Sequence, residues 1–306
     1  MINLFITYHC NFHCDYCFVH GFARKYPDSM GEEEFEKLCR WLQKYKISTI
    51  GILGGEPTTH PKLLSMLERL GDCGVSPVLF TNGLFDENMR EALSELTVNM
   101  VFNYNDPSMY TGLQWNKLQN NLDGIRKMGG RISFSKNFSR GRLDYDYLLE
   151  AAVRYGITSI RYDISRPNPM EANHYFNLDE ARELVQQLTG FVKACELLGL
   201  RTGLDCCIPL CYFSEEELSY MRAHSMKFTG ICYPSIDIQT DLSASYCIPM
   251  REICIEDITS CQGEYGAMEY LSGRVREIRS GIKQKQCVGC DKFMKLCQGG
   301  CLALKA

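Results

Sequence analysis

The chain has 306 residues, 45% of them apolar, with 33 basic and 37 acidic side chains and a formal net charge of -4. The two signs are interspersed, which excludes the concentrated positive field that a nucleic-acid backbone requires, and no run of about 18 apolar residues is present to cross a bilayer. The opening MINLFITYHC lacks the basic start, long apolar stretch and small-residue cleavage site of a signal peptide, so a cytoplasmic location is expected, without nucleic-acid or membrane partners.

Taken in chain order, β-rich runs at residues 2–8, 48–54, 76–82, 98–104, 131–137 and 158–164 alternate with amphipathic stretches at 32–46, 60–74, 87–96, 115–130, 143–156 and 178–200. The runs are rich in Val, Ile, Phe and Tyr, as buried parallel strands are, and the stretches between them place apolar residues three and four apart. Gly74, Gly129 and Gly156 stand where helix C-caps belong. Six such units predict an α/β fold, a partial (β/α)6 TIM-like barrel open on one side, with its chemistry at the C-terminal ends of the strands. From about Arg201 the pattern gives way to cysteine-bearing segments. A boundary near Leu200 is therefore expected, with a barrel over 1–200 and a cysteine-rich domain over 201–306 held together by ligand bonds.

Cysteine is the outlier, at 17 residues in groups. Disulfides are one reading, but the chain is large and carries no secretion signal, so metal ligation is the working expectation. Cys10, Cys14 and Cys17 fall within eight residues just after the first strand. Three thiolates can wrap a cubane cluster whose irons normally take four, which leaves one iron open for chemistry. His9 and His13 offer nitrogen for a zinc knuckle, the alternative use of the same segment. Gly54-Gly55-Glu56-Pro57 follows the second strand; alone it reads as a turn.

Together these two motifs resemble the radical S-adenosylmethionine enzymes, whose pattern is Cys-x3-Cys-x-aromatic-Cys, with Tyr16 here as the aromatic residue. The resemblance implies a [4Fe-4S] cluster on Cys10, Cys14 and Cys17 whose open iron chelates S-adenosylmethionine. One electron then breaks a sulfur–carbon bond to give a 5′-deoxyadenosyl radical. It also implies that Gly54, Gly55, Glu56 and Pro57 receive the methionine ammonium. Later strand ends offer polar groups for ribose and carboxylate: Thr81, Asn82, Asn103, Asn105, Ser135, Asn137 and Arg161. Of these Asn103, Ser135 and Arg161 are carried as cofactor contacts, with local capping or turn roles as the competing reading. Asp106, Asp163 and Glu171 serve equally well as surface charges, so no catalytic acid or base is assigned.

The tail, Cys287-x2-Cys290-x6-Cys297-x3-Cys301, with Cys232 and Cys247 upstream, resembles the SPASM extension of that family, which carries auxiliary clusters. The resemblance implies one or two auxiliary [4Fe-4S] clusters: one on Cys232, Cys247 and Cys301 with Cys211, a second on Cys287, Cys290 and Cys297. The fourth place of the second is open to Asp291, Cys254 or Cys261, or vacant. The sequence departs from the family pattern in the six-residue spacing, in Leu242 where glycine is expected, and in having no cysteine after Cys301. Cys39, Cys73 and Cys195 read as small buried hydrophobes.

The function implied is modification of a peptide by hydrogen abstraction, giving a crosslink, thioether, epimer or oxidation, as in the maturation of ribosomally made peptides. The partners implied are a peptide or protein substrate, a separate leader-binding protein because strand one begins the chain, and an electron donor such as flavodoxin or ferredoxin. A small-molecule sugar or alcohol dehydrogenase of the same superfamily is the second reading, and a non-catalytic zinc scaffold the third.

Overall fold

The computed structural model describes residues 2–177, 180–282 and 284–305. The six expected units are present: β1 (Ile2–Phe5), α1 (Glu32–Lys44), β2 (Thr49–Leu53), α2 (Leu63–Asp72), β3 (Ser76–Thr81), α3 (Arg90–Leu96), β4 (Asn99–Asn103), α4 (Gly112–Lys127), β5 (Ile132–Phe138), α5 (Asp146–Tyr155), β6 (Ser159–Ile164) and α6 (Ala181–Leu197). Leu178 and Asp179, the expected start of the sixth helix, lie outside the described residues. Each strand pairs parallel with the next.

The two faces of this sheet differ in kind. Ile2 and Leu4, Ile50 and Ile52, Leu79, Met100 and Phe102, Phe134 and Phe138, and Ile160 and Tyr162 are buried in one apolar core with the helices. Each such side chain contributes about 1.5–3 kcal/mol by leaving water. Because side chains alternate along a strand, the residues between them face the barrel interior, and these are largely polar: Asn3, Asn99, Asn103, Ser133, Ser135, Asn137, Arg161 and Asp163. A polar interior face is not a second hydrophobic core.

The parallel series runs on past Leu200. β7 (Arg201–Leu204) pairs with β6, placing Arg161 opposite Gly203, and after α7 (Glu215–His224) the short β8 (Ser225–Met226) extends it. α7 starts on a capping box in which Ser214 and Glu217 exchange hydrogen bonds, and α4 on another made by Thr111 and Gln114. The second box sets the start of α4 at Gly112, three residues before the first position read from apolar spacing.

On the far side, β9 (Asp237–Ile238) lies parallel to β1, followed by antiparallel β10 (Ala244–Ser245) and β11 (Cys254–Ile255). Among the described residues these form one sheet of eleven strands, in the order β11-β10-β9-β1-β2-β3-β4-β5-β6-β7-β8. The cysteine-rich part thus shares hydrogen bonds with both edges of the barrel sheet. α8 (Gly263–Arg274) and α9 (Arg276–Ser280) follow.

Candidate active site

The first cysteine group sits on a long excursion from the end of β1. Its base is closed by an antiparallel bridge between Thr7 and Ser29, with the two hydroxyls 2.9 Å apart and the Tyr8 amide donating to the Asp28 carbonyl at 2.8 Å. Val19, Phe22 and Tyr26 on the excursion form a small core with Phe5 and Ile248, against which Cys17 packs. The loop therefore carries its own apolar anchor, which reaches the residue after Cys247.

Every sulfur in the loop has N–H groups directed at it. Cys10 receives the Phe12 backbone amide and, at 3.9 Å, the Asn82 side-chain amide; Cys17 receives the backbone amides of Val19 and His20; the Asn105 amide lies 4.0 Å from Cys14. Burial nonetheless pushes the Cys10 thiol up to about 11 and raises Cys14 and Cys17. Cys17 also raises Cys10 and Cys14, and Cys10 raises Cys14, so a cationic partner is what would hold them ionised. Among the described residues no three His, Cys, Asp or Glu side chains converge as the ligands of a single ion do; the cysteines are grouped more loosely. His9 turns to Asp28 at 3.6 Å and His13 packs edge-on against His20.

Gly54 and Gly55 lie directly against this loop. A Cβ on Gly54 would stand 2.4 Å from the Thr7 carbonyl oxygen, and one on Gly55 2.3 Å from that of His9. The amides of Gly55 and Glu56 donate to those same oxygens, both at 2.7 Å. The glycines are required by the chain's own backbone. The Glu56 carboxylate is buried and turned toward β3, where Thr58, Thr81 and the Asn82 amide all donate to it. Pro57 is buried and opens a short 3-10 turn.

The three strand-end residues form one row: Asn103 is opposite Ser135, and Ser135 opposite Arg161. Arg161 donates to Ser135 at 3.0 Å, pairs with Asp205, and lies over the Phe80 ring with 5.4 Å to its centre. Asn103 donates to the Tyr16 hydroxyl at 2.9 Å, and that hydroxyl donates to Asn105. Tyr16 thus ties the cysteine loop to the end of β4. Two residues not singled out from the sequence close the loop from the other side. Asn168 donates to the carbonyls of Cys17 and His20, and Asn173 to that of Tyr16 at 2.9 Å. Both are side-chain amides on the irregular segment after β6, where no periodicity marks them. Asp163 pairs with Arg166, Glu171 with His20 and Arg24, and the Asp106 side chain accepts from the Ser108 amide.

Residues 4–105, which hold the cysteine loop, Gly54–Pro57 and Asn103, match the family model described as the Radical SAM superfamily. This third of the chain is a radical SAM domain. That superfamily uses a [4Fe-4S] cluster and S-adenosylmethionine, and the thiol set of Cys10, Cys14 and Cys17 with its N–H donors fits such a cluster.

Over 113 residues the chain is 31% identical to the Probable GTP 3',8-cyclase of Methanothermobacter thermautotrophicus, covering 36% of this chain and 37% of the relative. It is 27% identical over 131 residues to the protein of the same name from Methanocaldococcus jannaschii, covering 41% and 44%. The match spans less than half the length of these curated relatives. In fold, it is similar along 99% of its length to Streptococcus suis SuiB bound to S-adenosylmethionine, at a TM-score of 0.69, 16% identity and 72% of that chain. It is similar along 98% to anSMEcpe with bound AdoMet, at 0.69, 17% identity and 89% of that chain. The likeness in fold runs beyond residue 105 through the cysteine-rich part.

In that part the structure sorts the cysteines into two groups whose membership differs from the expected one. Cys232, Cys247 and Cys301 come together as expected, but with Cys206 and Cys207 in place of Cys211. Cys207 and Cys232 share a hydrogen bond that lowers the second thiol and raises the first. Arg166 reaches into this group and donates to the Cys207 carbonyl at 3.3 Å. Cys287, Cys290 and Cys297 form the other group, and the residue beside them is Cys211. Of the alternatives weighed for that place, Cys254 is in β11 near Tyr26 and Cys261 sits over Trp41, while Asp291 is exposed next to Cys290. Cys39 and Cys195 are fully buried in the main core, and Cys73 packs against that core while accepting a hydrogen bond from Arg69 at 3.1 Å. Among the described residues no helix is long and apolar enough to cross a membrane.

Proposed function

We propose that this radical SAM enzyme modifies a peptide side chain or backbone by hydrogen abstraction, with auxiliary [4Fe-4S] clusters of SPASM type in its C-terminal part. When bound, the first cluster supplies the electron that cleaves S-adenosylmethionine to a 5′-deoxyadenosyl radical. This chain's residues do the rest. Cys10, Cys14 and Cys17 hold the cluster, the packed backbone of Gly54–Pro57 and the row Asn103, Ser135 and Arg161 line the adjoining cavity, and Tyr16, Asn168 and Asn173 keep the loop in place.

The observation that carries the peptide reading is the fold shared over 98–99% of the chain with two proteins also solved with peptides, SuiB with its precursor peptide SuiA and anSMEcpe with the Kp18Cys peptide. A nucleoside triphosphate, which the curated relatives' name brings to mind, needs unpaired cations for its phosphates. Here, among the described residues, Arg161 and Lys227 share the single carboxylate of Asp205 and Arg166 lies 3.9 Å from Asp163, so three cations stand against two carboxylates, a small surplus for a triphosphate. A separate leader-binding protein, a flavodoxin or ferredoxin donor and a cytoplasmic location complete the proposal.

The test is an anaerobic incubation of reconstituted enzyme, S-adenosylmethionine and dithionite with a peptide library, set beside one with GTP. Peptide-stimulated 5′-deoxyadenosine with loss of hydrogen from a peptide, or solvent deuterium at an α-carbon, is the expected outcome. Stimulation by GTP with every peptide unchanged would replace the reading with the small-molecule one.

A further inference from the structure

The short segment Cys206-Cys207-Ile208-Pro209-Leu210-Cys211 sends its cysteines in two directions. Cys207 is buried against Cys232, whereas Cys211 sits in a 3-10 turn over Leu210–Tyr212 and is exposed at the other group. Both neighbours of Cys211 are docked on that group's chain. Leu210 and Cys297 meet across Gly230, where an added Cβ would stand 2.8 Å from the Leu210 side chain and 3.0 Å from the Cys297 Cα. The Tyr212 hydroxyl accepts from Gln284 at 2.9 Å and from Gln286, the residue before Cys287, at 3.2 Å. Gly230 is also bridged to Cys297 through the backbone, with the Gln298 amide donating to its carbonyl at 3.0 Å. The Cys211 thiol, held from both sides, faces Cys297, Cys290 and the Gln286 amide, and Cys287 faces it in turn.

We propose that Cys211 is the fourth iron ligand of the second auxiliary cluster, with Cys287, Cys290 and Cys297, so that one short loop supplies ligands to both auxiliary clusters. This rests on the auxiliary-cluster reading above. A cubane takes four thiolates. The first group holds five thiols without Cys211, more than it can use, while the second holds three and lacks one. Giving Cys211 to the second site satisfies both, and leaves one of the adjacent Cys206 and Cys207 without iron. On ligation the Cys211 thiol gives up its proton, which can leave to solvent at this exposed edge.

The experiment uses the full chain, reconstituted anaerobically, as wild type, Cys211→Ala, Cys211→Ser and the double variant Cys206→Ala/Cys207→Ala. Iron and sulfide are counted, and reduced samples are recorded by electron paramagnetic resonance. Wild type is expected to hold about twelve irons, as three cubanes require. Cys211→Ala is expected to lose about four of them, or to keep them with one auxiliary signal altered, and Cys211→Ser to alter the same signal. The double variant is expected to disturb the other auxiliary signal. Neither change should touch the shift that S-adenosylmethionine induces in the first cluster. Should the variants fold poorly, alkylation of wild type decides: Cys211 is expected to be labelled in the stripped protein and protected in the loaded one. Twelve irons with unchanged signals in Cys211→Ala, equal labelling in both states, or about eight irons in wild type would overturn the assignment. In each of these cases 5′-deoxyadenosine formation persists, so loss of the radical SAM reading, which abolishes it, is told apart.

Discussion

Glu56 accepts the backbone amide of Asn82 at 2.7 Å, and Asn82 in turn points its side-chain amide at the Cys10 sulfur 3.9 Å away. One buried carboxylate thus couples the ends of β2 and β3 to the cluster loop. Burial raises its pKa while the donors from Asn82, Thr58 and Thr81 act the other way.

Glu56→Gln keeps the shape but sets an NH2 group against donors that the carboxylate satisfied. A hydrogen bond to a buried charge contributes about 1.5–3 kcal/mol, so a loss of about 2 kcal/mol is expected in urea unfolding, together with faster iron loss from the Cys10 cluster on chelation. A variant as stable as wild type would show that the carboxylate is not a clamp.

Gly55→Ala places a methyl group 2.3 Å from one backbone oxygen and 2.7 Å from another, and neither can swing aside as a side chain can. Overpacking of this kind costs about 1–3 kcal/mol. The cluster loop is expected to lift from β2, lowering iron content and abolishing S-adenosylmethionine binding in equilibrium dialysis. Gly71→Ala, where the added atom meets nothing, is the matched control.

Replacing Cys10, Cys14 or Cys17 by Ala is expected to reduce 5′-deoxyadenosine to background, read by chromatography after dithionite reduction. Replacing Cys232 or Cys247 is expected to leave that cleavage intact while the modified product is lost. Normal cleavage in the first set would remove the mechanism.

Lys136 is buried on the helix side of β5, 3.0 Å from the Tyr147 hydroxyl, and burial pushes its pKa down to about 8. An unfolded lysine titrates near 10.4, so below pH 8 the folded protein carries a desolvated ammonium that costs about 3 kcal/mol. Between about pH 8 and 10.4 the unfolded chain binds the proton and the folded one does not, so this residue's contribution to stability rises with pH. Denaturant midpoints of wild type and Lys136→Met are expected to converge over that range; parallel curves would place the lysine in water.

Much of the candidate site is local in sequence and is therefore legible there. Cys10, Cys14, Cys17 and Gly54–Pro57 lie on contiguous segments, and the barrel follows from alternating strand and helix periods. The row of Asn103, Ser135 and Arg161 could be picked out as strand-end polar residues, although their register needed the pairing of β4, β5 and β6. Asn168 and Asn173 could not, because a side-chain amide in an irregular segment has no periodicity to betray its partner. The partners of the Glu56 carboxylate were not legible either: its donors Thr81 and Asn82 are some twenty-five residues away and meet it only through the pairing of β2 and β3.

The C-terminal cysteines show where the division falls. Spacing alone determined that thiols in this part were numerous enough for clusters, since ligand type and density are properties of the chain. Which thiol joins which group was decided only by tertiary structure. Cys206, Cys207 and Cys211 are within six residues, yet a turn at Leu210–Tyr212, docked on Gly230 and Gln284, carries the last of them to Cys287 and Cys297. Proximity between residues some eighty positions apart is set by the packing of the segments that bear them, and nothing in local spacing encodes it.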